Sequence, residues 1–210
     1  MRSLRCPARI VRRLTALLLL AILTGCNFLQ KWSAWRYSSD GLETVPHWNL
    51  PSLDPALSRF RVGEVYVHAF LRAHDETTQR GSSPYKLHVV CYAPARTASS
   101  VTFHAVEVFS LLDSTSYFIV PIEVDQRGQK VRSLSFPYAE NFVPLSSSSA
   151  SWASLDTDSN LGLRPEKNEE VRIRILVEIT GASGNEKGWI TYQFKPRLEK
   201  GRVGYVGPGA

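Results

Sequence analysis

Between residues 61 and 195, apolar and polar side chains alternate with a period of two, the spacing of half-buried strands, and helical periodicity is almost absent. Over 63–72, Val65, Val67, Ala69 and Leu71 fall on one face, with Glu64, Tyr66, His68, Phe70 and Arg72 opposite. A second strand is predicted over 85–93, where Leu87, Val89 and Cys91 share a face. A third, over 101–112, is apolar on both faces, as expected of a central strand. A fourth covers 117–125, with Phe118, Val120, Ile122 and Val124 directed one way and Pro121 marking an edge or a bulge. After the turn Asp125-Gln126-Arg127-Gly128 a short fifth strand spans 130–136. The clearest is 170–180, whose Val171, Ile173, Ile175, Val177 and Ile179 form an unbroken inner stripe. Its hairpin partner over 189–195 follows the glycine-containing turn 181–185.

Polar segments separate these strands. Residues 74–84 carry no apolar side chain, and 113–116 make a tight connection. SSSSASWASLDTDSNLG, 146–162, reads as a long polar loop. Residues 27–58 are irregular, with Pro46, Pro51 and Pro55 among Trp32, Trp35, Tyr37 and Trp48, and read as a tether whose later half docks on the domain. LEKGRVGYVGPGA, at 198–210, is glycine-rich and reads as a loose tail. Seven strands joined by polar turns specify an all-β fold, a single antiparallel β-sandwich, immunoglobulin-like or similar. Each fully buried Val, Leu, Ile or Phe contributes roughly 1.5–3 kcal/mol, so these stripes supply a core without cross-links.

The segment before this domain has another texture. LTALLLLAILT, 14–24, is 11 uncharged residues. As a helix it would span roughly 17 Å, well short of the ~30 Å hydrocarbon core of a bilayer. Arg2, Arg5, Arg9, Arg12 and Arg13 precede it without an acid, the pattern of a secretory signal peptide. The ending Leu23-Thr24-Gly25-Cys26 resembles the lipobox of bacterial lipoproteins, an aliphatic residue and two small ones before cysteine. The resemblance covers only about the first 27 residues. It implies that diacylglycerol is attached to the Cys26 thiol and that the leader is cut just before it. A retained membrane anchor and a plain secretory signal are the competing readings. The organisation expected is a signal peptide at 1–25, a lipidated tether at 26–58, the sandwich at 59–198 and a flexible tail at 199–210. Two or three acyl chains hold a protein at a membrane where one does not. Asn27, following the cysteine, implies the outer membrane if the source is a diderm bacterium.

With the leader set aside, the charge changes its meaning. The chain has 25 Lys+Arg against 19 Asp+Glu, and five of the basic residues lie before Cys26; subtracting them leaves 20 against 19. Near neutrality and without a basic run, the mature segment carries no electrostatic footprint for nucleic acid. Of the three cysteines, Cys6 belongs to the leader and Cys26 to the lipobox, so Cys91 has no partner for an intramolecular disulfide. Its alternation with Leu87 and Val89 reads as a buried thiol.

Chemical motifs are sparse. Were the strands carrying His68 and His88 paired, those imidazoles and Glu64 or Glu107 would come near zinc-ligand geometry, but no HxH, HExxH or Cys/His spacing accompanies them. Asp156, Asp158 and Asn160 alternate like the start of an EF-hand loop, yet Leu161 stands where glycine belongs and Lys167 where the bidentate glutamate belongs, so a solvated turn is expected. GxSxG and SxxK are absent. No cofactor or metal is expected. What remains is surface: Tyr66, Phe70, Val90 and Tyr92 lie on the faces of their strands away from the small aliphatic residues, a candidate partner-binding patch. The expected function is a membrane-anchored envelope lipoprotein acting as a non-catalytic binding or assembly module for an envelope protein, by a sheet edge or face. Small sandwich lipoproteins of type VI secretion machines are similar in general plan, without a shared motif. The alternatives are a tethered periplasmic hydrolase or carbohydrate-active protein, and a small-ligand carrier.

The lipobox reading predicts that Cys26→Ala abolishes incorporation of labelled palmitate and leaves an uncleaved precursor. Undiminished labelling of that variant contradicts it.

Overall fold

A computed structural model describes residues 29–39, 59–73, 84–94, 97–145, 150–158 and 160–204, with backbone alone at 29–32 and 201–204. Residues 23–26, and with them the lipobox and Cys26, lie outside the described residues, as does the run 14–24. Among the described residues no helix is long and apolar enough to cross a membrane. The chain divides into two compact units, Ala34–Glu199 and Met1–Ser33 with Lys200–Ala210. In the second unit, 29–33 and 200–204 are extended.

The strands in chain order are β1 (Leu29–Ser39), β2 (Arg61–Val62), β3 (Val65–Ala73), β4 (Tyr85–Pro94), β5 (Ala98–Ser110), β6 (Ser116–Tyr117) and β7 (Pro121–Val124). They continue with β8 (Lys130–Ser133), β9 (Tyr138–Asn141), β10 (Val143–Pro144), β11 (Ala150–Thr157), β12 (Val171–Gly181) and β13 (Gly184–Gly204). One sheet runs β1-β13-β12-β5-β6, with β9 also on β5; the other runs β2-β3-β4-β11-β7-β8, with β10 on β11. The fold is an antiparallel β-sandwich.

The stripes read from alternation form its core. Val65, Val67, Ala69 and Leu71 of β3, with Leu87, Val89 and Cys91 of β4, join Val101, Phe103 and Val108 of β5 and the five aliphatic residues of β12 in one buried cluster. The Tyr192 hydroxyl donates to the Val67 carbonyl at 2.5 Å, a hydrogen bond from β13 to β3 across the interior. Thr157 at the end of β11 donates its hydroxyl to the Leu87 carbonyl at 2.8 Å. The β12–β13 hairpin closes with Gly181 opposite Gly184. A side chain at 181 would approach the Thr97 carbonyl to 2.5 Å, and Gly184 has a φ of +115°, so both positions require glycine.

Several expectations are corrected. The segment 146–162 contains β11, which sits inside its sheet between β4 and β7. Ala153, Leu155 and Thr157 are its inward residues, too small and mixed to show an apolar stripe. The expected strand 117–125 is broken: β6 belongs to one sheet and β7 to the other, and 118–120 crosses between them. Phe118 is 86% exposed and Ile119 is buried, so Phe118 does not share a face with Ile122. Within the expected tether, β1 is a strand whose Tyr37 and Ser39 are buried at a spacing of two. β13 continues through Leu198 as far as Gly204, where a loose tail is expected. The short β8, all four residues exposed, ends the second sheet.

Among the described residues one carboxylate is fully buried. Glu169 is fully buried, and accepts hydrogen bonds from the Arg164 amide at 2.5 Å, Tyr117 Oη at 3.2 Å and Arg164 Nε at 3.3 Å. Burial alone would raise its pKa; Ser110, the Arg164 amide and guanidinium and Tyr117 together hold it below the ordinary value. The Arg164 guanidinium also pairs with Asp113 in the β5–β6 turn. Tyr37 and Tyr85 stand nearby with ring centroids 5.1 Å apart, edge to face. The Tyr85 hydroxyl donates to the Trp35 carbonyl, and burial pushes its pKa up to about 12.

Glu169 thus gains stability in its charged form, present above its unfolded pKa near 4.5 and lost as pH falls through the lower folded value. We expect Glu169→Gln to be less stable than the wild type by about 1–3 kcal/mol at neutral pH, with the gap narrowing below that pKa. Urea unfolding of both proteins at pH 7 and at acid pH tests this; a gap unchanged by acid refutes it.

Candidate outer-face site on β3, β4 and β11

Alternation sends every second residue of these three strands away from the core, and the register arranges them in rows. Tyr66 stands opposite Tyr92, which stands opposite Trp152. Beside that row runs His68–Val90–Ser154, and then Phe70–His88–Asp156, which Ile122 of β7 extends. Arg72 opposite Lys86 ends the face. All four residues singled out from the sequence, Tyr66, Phe70, Val90 and Tyr92, are brought together here, on the side of the sheet away from Val67 and Val89.

The face is not uniformly open. Tyr66, His68 and Val90 are buried, whereas Phe70, Lys86, His88 and Tyr92 are half-buried. The Arg61 guanidinium covers the Tyr66 ring at 4.9 Å, and that of Arg72 lies over the Phe70 ring at 4.8 Å. Phe70 packs against His88 at 4.7 Å and against His68 at 5.5 Å. His68, Phe70 and Tyr92 make further contacts besides these. Burial raises the pKa of Tyr92, so its hydroxyl stays neutral across the physiological range. Trp152, 36% exposed, presents an indole at the end of the first row. Reading 146–162 as a loop hid it; the alternation of Ala153, Leu155 and Thr157 is the signal that would have placed it.

Two surface concavities, of about 500 and 370 Å³, adjoin the rows and share Ile122, Val124 and Asp156. The larger is lined by Glu123, Arg132, Tyr138 and Glu140, among others. Each carboxylate there already holds a partner. Arg132 Nε donates to Glu123 at 2.5 Å, the Tyr138 hydroxyl donates to Glu140, and His88 Nδ1 lies 2.5 Å from Asp156 Oδ1. The smaller concavity is lined by Arg72, Lys86, His88 and Gly128 in addition to the shared residues.

The histidines do not assemble as a ligand set. His68 faces Val90, His88 faces Phe70, and Glu107 pairs with Arg174 on the other sheet. His104 hydrogen-bonds Glu178 at 2.8 Å, and His47 and His74 lie outside the described residues. Among the described residues no group of three or more His, Cys, Asp and Glu is placed to hold a metal ion. Asp156, expected in a solvated turn, is a strand residue of β11, and Asp158 pairs with Lys130.

The chain matches no family model, no curated protein and no solved structure. The face is therefore read from its own chemistry: aromatic and aliphatic rows bordered by cations.

Cys91, fully buried on the core side of β4, has its pKa driven well above the ordinary thiol range by desolvation. With Cys6 and Cys26 replaced by serine, a disulfide reagent should leave the native protein unmodified and titrate one thiol after unfolding in urea. Rapid labelling of the native protein contradicts the burial.

Proposed function

We propose that the protein is a lipid-anchored envelope protein that binds a protein partner through the outer face of β3, β4 and β11, without catalysis. The observation that carries this reading is the row Tyr66–Tyr92–Trp152, with Phe70 and Val90 in the rows beside it. Tyr92 and Trp152 are the accessible members of that row; aromatic side chains held on a sheet are rigid and amphipathic, and the surface they offer loses little side-chain entropy on contact. The lipobox supports the anchoring half of the proposal, with the outer membrane favoured in a diderm host. A face is preferred to an edge on this sheet because its edges are short, two residues of β2 and four of β8.

A hydrolase is the second reading, supported by Glu123, Glu140 and Asp156 around one concavity. It ranks lower because each of these carboxylates is engaged by Arg132, Tyr138 or His88, which leaves no acid poised to move a proton to a substrate.

Capture from native membranes with the tagged full chain is the test. The Trp152→Ala protein should recover the partner at least about tenfold less well, as for loss of an aromatic anchor. Trp189→Ala, an exposed indole on the other sheet, should recover it normally. Equal recovery by both variants, or recovery of no stoichiometric partner, contradicts the proposal.

A further inference from the structure

Among the described residues, the concavity at the end of this face is lined by two cations, Arg72 and Lys86, and one acid, Asp156. Arg72 and Lys86 are direct cross-strand partners. Like charges directly opposite on one face of a sheet repel and destabilise the pair. A neighbouring acid would relieve the repulsion, but among the described residues the concavity is lined by one acid, Asp156, and that carboxylate is engaged by His88. The Arg72 guanidinium rests on the Phe70 ring. Among the described residues neither Arg72 nor Lys86 forms an ion pair. The cations line a concavity of about 370 Å³ whose other contributors include Ile122, Val124 and His88.

We infer that this concavity receives a carboxylate side chain of the partner, an Asp or Glu on the segment that lies across the aromatic rows. The inference rests on the binding-module reading and adds the partner's chemistry. Two cations facing aliphatic residues suit a charged head on a short apolar stem. The approach of one carboxylate to both turns a repulsive pair into a bridge. Phe70 and His88 lie in the row adjoining Arg72 and Lys86, so acid and apolar contacts fall on one continuous surface. Lys86 is half-buried within the concavity, which suits a group inserted from a chain better than a flat layer of lipid headgroups.

The test uses the full chain in detergent and fluorescein-labelled hexaglutamate, followed by fluorescence anisotropy. Hexaglutamine, inorganic phosphate and phosphatidylglycerol vesicles are the comparison probes. Hexaglutamate should bind and hexaglutamine should not. Lys86→Glu and the milder Lys86→Gln should each weaken binding, the reversal by about tenfold, while Lys187→Glu, the same charge change on the other sheet, should leave it intact. Circular dichroism establishes that each variant is folded, and the Gln variant answers the question if the reversal does not fold. Equal weakening by Lys187→Glu, or no binding of hexaglutamate, overturns the inference. So does Lys86-dependent binding of vesicles or phosphate alone, which would assign the cations to a phosphate group. If membrane capture of the partner fails with Trp152→Ala yet is indifferent to Lys86→Glu, the carboxylate inference falls and the binding face stands. If capture is indifferent to both, the face itself is wrong.

Discussion

A slip of one residue between β3 and β4 would turn Leu87, Val89 and Cys91 out to water and bring Lys86, His88 and Tyr92 into the core. The alternating period of a strand makes that exchange total, so the buried stripe fixes the pairing to the residue. Everything on the outer face follows from it. Tyr66 meets Tyr92, Phe70 meets His88, and Arg72 meets Lys86 because the aliphatic residues between them leave one acceptable register. The same holds on the facing sheet, where Val171 through Ile179 lock β12 against β5 and β13. The outer face is thus arranged by residues that never touch it.

Without a disulfide in the described residues, such packing is supplemented by a few polar bonds inside. Tyr192 to Val67 joins the sheets, Thr157 to Leu87 fastens the end of β11, and Glu169 gathers the β5–β6 turn and the segment before β12. Each removes a buried donor or acceptor that would otherwise go unmet. Glu169 differs from the others because it is charged, and its cost of burial is offset by several donors rather than one.

The strands legible in the sequence are those built from large β-branched residues. β12 is explicit, since Val and Ile alternate with Arg and Glu, and β3 and β4 are nearly so. β11 shows no apolar stripe because Leu155 is the one large aliphatic residue among its inward positions, beside Ser151, Ala153 and Thr157, whose burial is decided by the neighbouring strands and not by their own hydrophobicity. β1 is similar, for Tyr37 and Ser39 make a poor stripe. The break at 118–120 was signalled by Pro121, but a bulge and a change of sheet leave the same mark in a sequence. Consequently four residues of the candidate face could be chosen strand by strand, whereas their assembly into rows, the addition of Trp152 and the pairing of His88 with Asp156 depended on register, which alternation alone does not give.

The last strand of a sheet is a template on which a second copy of the same chain can crystallise. Here that place is held by Lys130–Ser133, four exposed residues with lysine and arginine among them. A sister molecule approaching head-on would have to strip water from those cations and disturb their pairs with Asp158 and Glu123. Stacking into fibrils is therefore resisted at this border, and the sheet can remain finite even where many copies crowd together.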